Sequence, residues 1–218
     1  MDQIPGATQG EGLDPRQAAA MLDQVTAQAR RTFTPLTPLL WTGRAVVALV
    51  VFGGFWLSVR GQHPYTGHLS GPAIAVAAVL TAVNIGWTAV VIGRAGTGVS
   101  GPAQRRWQAW LGVMAAVWVI AYGFTAPLYH AGADHPAWGL YPATAPLLIG
   151  GLAGLVAAAV CRYWLIAGTA LAIAAVAAAA GFGGPVGSWL ILGAGLCAVF
   201  LGTAAFTAWR QGRSMVRR

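Results

Sequence analysis

The chain has 218 residues, of which 57% are apolar and only 8% charged, and it carries a net charge of +8. Its mean hydropathy is +0.64. Soluble domains carry roughly a quarter charged residues, so this composition excludes them and makes lipid the expected solvent for most of the surface. The basic residues flank apolar stretches, where they orient helices and meet anionic head groups, so nucleic acid is not an expected partner.

Residues 1–38 form a polar segment containing Asp2, Glu11, Asp14 and Asp23. No apolar stretch of signal-peptide type stands at the start, so the first span is expected to direct insertion itself. Asp14-Pro15-Arg16-Gln17 reads as a helix start, with an acidic N-cap, proline at the first helical position and Gln reaching back to the cap. The spacing predicts an amphipathic helix over about 15–31, with Ala18, Met21, Leu22, Val25 and Ala29 on one face. That face suits the head groups, the underside of a bundle, or a protein partner. Pro35 and Pro38 end the pattern.

Six apolar stretches follow, at about 39–59, 72–93, 107–127, 144–161, 163–181 and 187–209. Each is close to the ~20 residues that cross a hydrocarbon core about 30 Å thick. The expected fold is therefore all-α: a polytopic membrane domain of six transmembrane helices over 39–209, followed by a basic tail over 210–218. Ser70-Gly71-Pro72 marks the start of the second span and Gly93-Arg94 its end. Only Cys161-Arg162-Tyr163-Trp164 separates the fourth and fifth. A single helix through that point would bury Arg162 at the bilayer centre, so a tight hairpin is expected.

Tryptophans mark the interfaces. Trp41, Trp107, Trp110, Trp164 and Trp209 fall at one set of ends, Trp56, Trp138 and Trp189 at the other, and Trp87 and Trp118 lie deeper. Every basic residue is Arg. Arg16, Arg30, Arg31, Arg44, Arg94, Arg105, Arg106, Arg162, Arg210, Arg213, Arg217 and Arg218 belong to alternate connections, and only Arg60 falls opposite. The positive-inside rule then puts both termini, and the short N-terminal helix, in the cytoplasm. Arg44, one turn inside the first span, snorkels back to the inner head groups. The last three spans are rich in small residues, including Gly150, Gly154, Ala170, Ala174, Ala178, Gly195 and Gly202. Small residues allow close helix packing, within one chain or between copies in a homo-oligomer.

Candidate chemistry sits mainly on the outer face. His63 and His68 belong to one outer loop, and His130, Asp134 and His135 to the other. Neutral imidazoles with one carboxylate form a ligand set that zinc or copper accepts, and imidazole titrates where an outer face senses pH. Interfacial histidines that bind nothing are the plainer reading. Within the spans, Asn84 is the one strongly polar side chain near mid-membrane, with Thr81 and Thr88 at helical spacing. The three suit either a polar groove or an interhelical hydrogen bond.

No Asp, Glu, Lys, Arg or His stands near the middle of a span, which disfavours an autonomous proton-coupled transporter. Cys161 and Cys197 make no paired-cysteine motif, and the chain has no His-Glu-x-x-His. Serine-protease and haem patterns are missing from the spans as well, so no catalytic residue is named and an enzyme is not expected.

A helix ending Ala29-Arg30-Arg31, a proline-broken connector and Leu39-Leu40-Trp41-Thr42-Gly43 opening six helices resemble the layout of small uncharacterised six-helix integral membrane proteins of GC-rich actinobacteria. The resemblance implies a multi-pass protein of the bacterial cytoplasmic (inner) membrane and carries over no functional residue. The functional expectation is a non-enzymatic accessory or permease-like subunit of a transport or envelope system, with a protein partner at the N-terminal helix. The alternative is an outer-face metal-binding or pH-sensing protein.

Overall fold

The structure is a computed structural model that describes residues 17, 19–21, 36–62, 65–96, 102–123, 127, 135–160 and 162–216. Two compact units separate, Met1–Leu36 and Thr37–Arg218. In the first, Gln17, Ala19, Ala20 and Met21 are helical and exposed, inside the predicted 15–31 helix. Ala18, Leu22, Val25 and Ala29 of its predicted face lie outside the described residues.

Among the described residues of the second unit, six helices have defined bounds: α1 (Leu36–Val59), α2 (Gly71–Gly96), α3 (Pro102–Gly123), α4 (His135–Val160), α5 (Trp164–Gly181) and α6 (Gly184–Val216). Five of them, all but α3, are long and apolar enough to cross a membrane. In α3 the apolar part is the shorter stretch Gly112–Ala121, because the helix opens with Gln104, Arg105, Arg106 and Gln108. The predicted third span of 107–127 is thus matched by a helix whose described part ends at Gly123.

The boundaries follow local chemistry. Pro38 sits in the first turn of α1, where its missing N–H has no partner to lose. Ser70 caps α2, its Oγ accepting from the Ala73 N–H at 3.4 Å and its carbonyl from the Ile74 N–H at 3.1 Å. The α4–α5 hairpin, which has no glycine, closes on Arg162 with φ 59°. The Arg162 N–H donates to the Ala159 carbonyl at 3.0 Å and the Tyr163 N–H to Ala158 at 2.8 Å. This is the Schellman arrangement, in which a left-handed residue satisfies the last carbonyls of a helix. The fourth helix starts at His135, earlier than the predicted 144, and holds Pro142 and Pro146 internally.

Packing centres on α4, which lies against α3, α5 and α6, while α5 also packs on α6. The core joins Ala48 and Val59 of α1, Ala143 and Leu147 of α4, Ala177 and Ala180 of α5, and Trp189, Leu192 and Leu196 of α6. Small residues bring the helices close. A methyl on Gly151 would lie 2.9 Å from the Ala174 backbone nitrogen and 3.0 Å from the Ala170 oxygen. On Gly195 it would lie 2.5 Å from Val176 Cγ1, and on Gly150 3.2 Å from the Trp118 ring. The predicted close-packing glycines therefore work within the chain, except Gly202, which has nothing within 4 Å. Ala170 and Ala174 are buried, whereas Ala178 is exposed.

α1 and α6 run antiparallel. Phe52 and Phe55 meet Trp189 at 6.1 and 5.1 Å, and at the other end Trp41 meets Phe200 at 5.8 Å. The α1–α2 loop and the starts of α4 and α6 therefore share one end of the bundle, called here the loop end; the opposite end carries the C-terminal tail of α6. Trp189, expected at an interface, is instead a core residue only 4% exposed.

Candidate functional site

At the loop end one side chain organises the α1–α2 connection. Gln62 Nε2 donates to the carbonyls of Ser58 at 3.2 Å and His68 at 2.6 Å. Its Oε1 accepts from the Thr66 hydroxyl at 3.0 Å and the Thr66 N–H at 3.4 Å. Ser58 and Ser70 hydroxyls meet across the loop at 2.8 Å. A carboxamide supplies two donors and an acceptor with two lone pairs, so Gln62 fixes both strands of the loop at once.

The loop delivers Tyr65 to the bundle. Its hydroxyl occupies the space that a side chain on Gly139 of α4 would fill, and the ring packs against the core. Burial pushes the phenol above its usual pKa, and the Trp189 N–H, facing the hydroxyl, opposes that rise. The contact falls short of a hydrogen bond, so Trp189 Nε1 is buried without an acceptor. Tyr65 therefore closes the loop end over an unsatisfied indole donor.

The predicted outer-face ligands are not assembled among the described residues. His63, His130 and Asp134 lie outside them; His68 is exposed in the loop, and His135 opens α4 with its side chain outside the described set. Among the described residues no three His, Cys, Asp or Glu side chains sit together.

The predicted intramembrane set divides. Among the described side chains of α2, those not fully exposed are Ala73, Ala77, Leu80, Asn84, Thr88 and Val91, which recur at three- and four-residue steps and so form one stripe. Asn84 and Thr88 share it, whereas Thr81 lies off it and is exposed. The Thr88 hydroxyl donates to the Asn84 carbonyl at 2.7 Å, so it is spent on its own helix. The Asn84 carboxamide makes no hydrogen bond among the described residues.

A polar contact joins α5 to α6. The Thr169 and Thr203 hydroxyls, both buried, meet at 3.2 Å. Each also faces a carbonyl one turn back, Leu165 at 2.9 Å and Val199 at 2.8 Å. Two protons serve three contacts, so one helix carbonyl yields its donor whenever the threonines bond to each other.

Arginines at both ends stack on aromatic rings one turn earlier in the chain. Arg44 lies over Trp41 at 4.8 Å, Arg60 over Trp56 at 5.2 Å, Arg210 over Phe206 at 5.8 Å and Arg213 over Trp209 at 3.9 Å. Helical side chains lean toward the N-terminus, which brings each guanidinium onto the ring three or four residues before it. Between α3 and α4 an open groove of about 410 Å³ is lined by Val117, Ile120, Ala121, Tyr141 and Ile149. Its one hydroxyl, on Tyr141, donates to the Ala121 carbonyl at 3.0 Å, leaving an apolar surface suited to hydrocarbon.

Gln62, Tyr65 and Gly139 escaped the sequence reading, since their roles depend on a loop conformation that no periodicity encodes. Gly67, with a φ of 72°, is a turn signal in that loop but does not say where Tyr65 goes. Comparison with known protein families, with curated proteins and with solved structures gave no match.

Proposed function

We propose that the chain is a non-enzymatic subunit of the bacterial cytoplasmic membrane that acts by associating with another membrane protein, as an accessory or permease-like component of a transport or envelope system. In this reading α3 makes a sixth span, both termini lie in the cytoplasm, and the loop end faces outward. The arginine distribution supports that orientation, with Arg60 alone at the outer face.

The observation that carries the association is α2. Ala77 is its only buried residue among the described side chains, whereas α4, α5 and α6 bury several each. Its inward stripe holds a carboxamide with no acceptor or donor among the described residues. An amide left in hydrocarbon has no water to turn to, and each unmet group costs several kcal/mol. A partner helix lying against the exposed flank of this stripe, over Val76, Val83 and Trp87, brings a polar group to Asn84 and covers apolar surface in one step.

Native mass spectrometry from mild detergent tests this reading. A stoichiometric complex with a second polypeptide is expected, heavier than the 22.4 kDa chain, and N84L should shift it toward the free subunit. A wild-type spectrum holding only the single chain, or only multiples of it, contradicts the accessory role.

A further inference from the structure

We infer that Arg44, set over Trp41 where α1 meets α6, binds the phosphodiester of an anionic phospholipid in the leaflet that α1 enters from the N-terminal side. The position comes from helix geometry. Arg44 lies eight residues into α1 from Leu36, which is about 12 Å along the axis. Its side chain leans back one turn onto the Trp41 ring at 4.8 Å, bringing the charge down to the level where head groups begin. Trp41 in turn rests on Phe200 of α6 at 5.8 Å, so two helices fix the platform under the guanidinium. Arg44 is half-buried, whereas Arg60, Arg210 and Arg213, stacked in the same way, are exposed.

Among the described residues of the bundle no counter-ion stands beside Arg44. The described residues contain no Asp or Glu. After Asp23 the whole chain has one acid, Asp134, in the connection between α3 and α4, which leads to the loop end. Arginine keeps its proton at any accessible pH, so the charge cannot be relieved by titration. No protein acceptor among the described residues takes its N–H groups, and the nearby Thr42 hydroxyl is spent on the Pro38 carbonyl at 3.0 Å. A guanidinium with one face on an indole and its edge free presents the planar fork that grips two phosphate oxygens.

Head-group preference follows from the same charges. A phosphatidylethanolamine ammonium needs a carboxylate neighbour, and none stands at this end among the described residues; Arg210 and Arg213 stand there instead. Phosphatidylglycerol carries the phosphate without the ammonium, so the site selects for it.

The test uses the full chain in nanodiscs of phosphatidylcholine doped with phosphatidylglycerol or phosphatidylethanolamine, followed by native mass spectrometry of the released protein. Wild type should retain one phosphatidylglycerol in preference to either other lipid. R44Q should lower that occupancy about fivefold, as loss of one near-surface arginine implies, while R60Q, at the opposite end of α1, leaves it unchanged. Inorganic phosphate added in excess should not displace the lipid. Equal retention of all three lipids by wild type, displacement by free phosphate, or full retention by R44Q overturns the inference. Should R44Q not fold, R44K keeps the charge but loses the fork, and it must show weaker retention than wild type for the inference to stand.

Discussion

A methyl group on Gly151 would meet the backbone nitrogen of Ala174 at 2.9 Å, so α4 and α5 approach each other at a point where only hydrogen fits. The obstacle is backbone, which has no rotamer to swing aside. Gly151→Ala should therefore lower stability by about 1–3 kcal/mol, the usual cost of overpacking. Gly202→Ala, at an open position, should be neutral. Thermal melts of both variants in one detergent give the comparison.

Arg162 holds the left-handed conformation that closes the α4–α5 turn. A side chain costs about 1 kcal/mol there and glycine almost nothing. Arg162→Gly should raise unfolding stability by about that amount, whereas Arg162→Val should lower it. Equilibrium unfolding in mixed micelles reads both signs.

The Thr169–Thr203 contact should be modest, because each hydroxyl also has a carbonyl on its own helix. A double-mutant cycle through Thr169→Val and Thr203→Val is expected to give a coupling of about 0.6 kcal/mol and no more than about 1.7. A coupling near zero would show that the carbonyl contacts hold both protons.

Tyr65 gives the loop end a pH dependence of definite sign. Burial favours the neutral phenol, so its folded pKa stands above the ordinary value of 10.0. The group's contribution is therefore full below the unfolded pKa and is lost as pH rises from about 10 through the folded value. Wild type should lose melting temperature over that alkaline range more steeply than Tyr65→Phe, and identical slopes would contradict the burial.

The helices of the membrane domain were legible because charge and hydropathy separate cleanly: Ser70 does cap α2, and the hairpin at Arg162 forms where a buried charge forbade a continuous helix. The early start of α4 was not legible. The predicted span of 144–161 already contained Pro146, whereas the helix also runs through Pro142, a residue that ordinarily ends one. The N–H groups that these prolines lack belong opposite the Trp138 and Pro142 carbonyls, and in a bundle neighbouring groups can serve such freed carbonyls. Trp189 looked interfacial because indoles usually are, but Phe52 and Phe55 enclose it. Glycine spacing drew attention to Gly150 and Gly154, while the tightest backbone contact belongs to Gly151, since spacing alone does not say which face a helix turns inward. The histidine set remained a pattern of types: three of its five members, His63, His130 and Asp134, fall outside the described residues.

Six spans with both termini inside is the premise on which the proposed role rests. In a chain with Cys161 and Cys197 replaced by alanine, single cysteines at Gln17, His68 and Ser214 can be challenged in intact cells with a membrane-impermeant maleimide. Only His68→Cys should react before the membrane is permeabilised. If Gln17→Cys and Ser214→Cys lie on opposite sides, the number of spans is odd; if both react from outside, the orientation is reversed. Either result contradicts the arrangement.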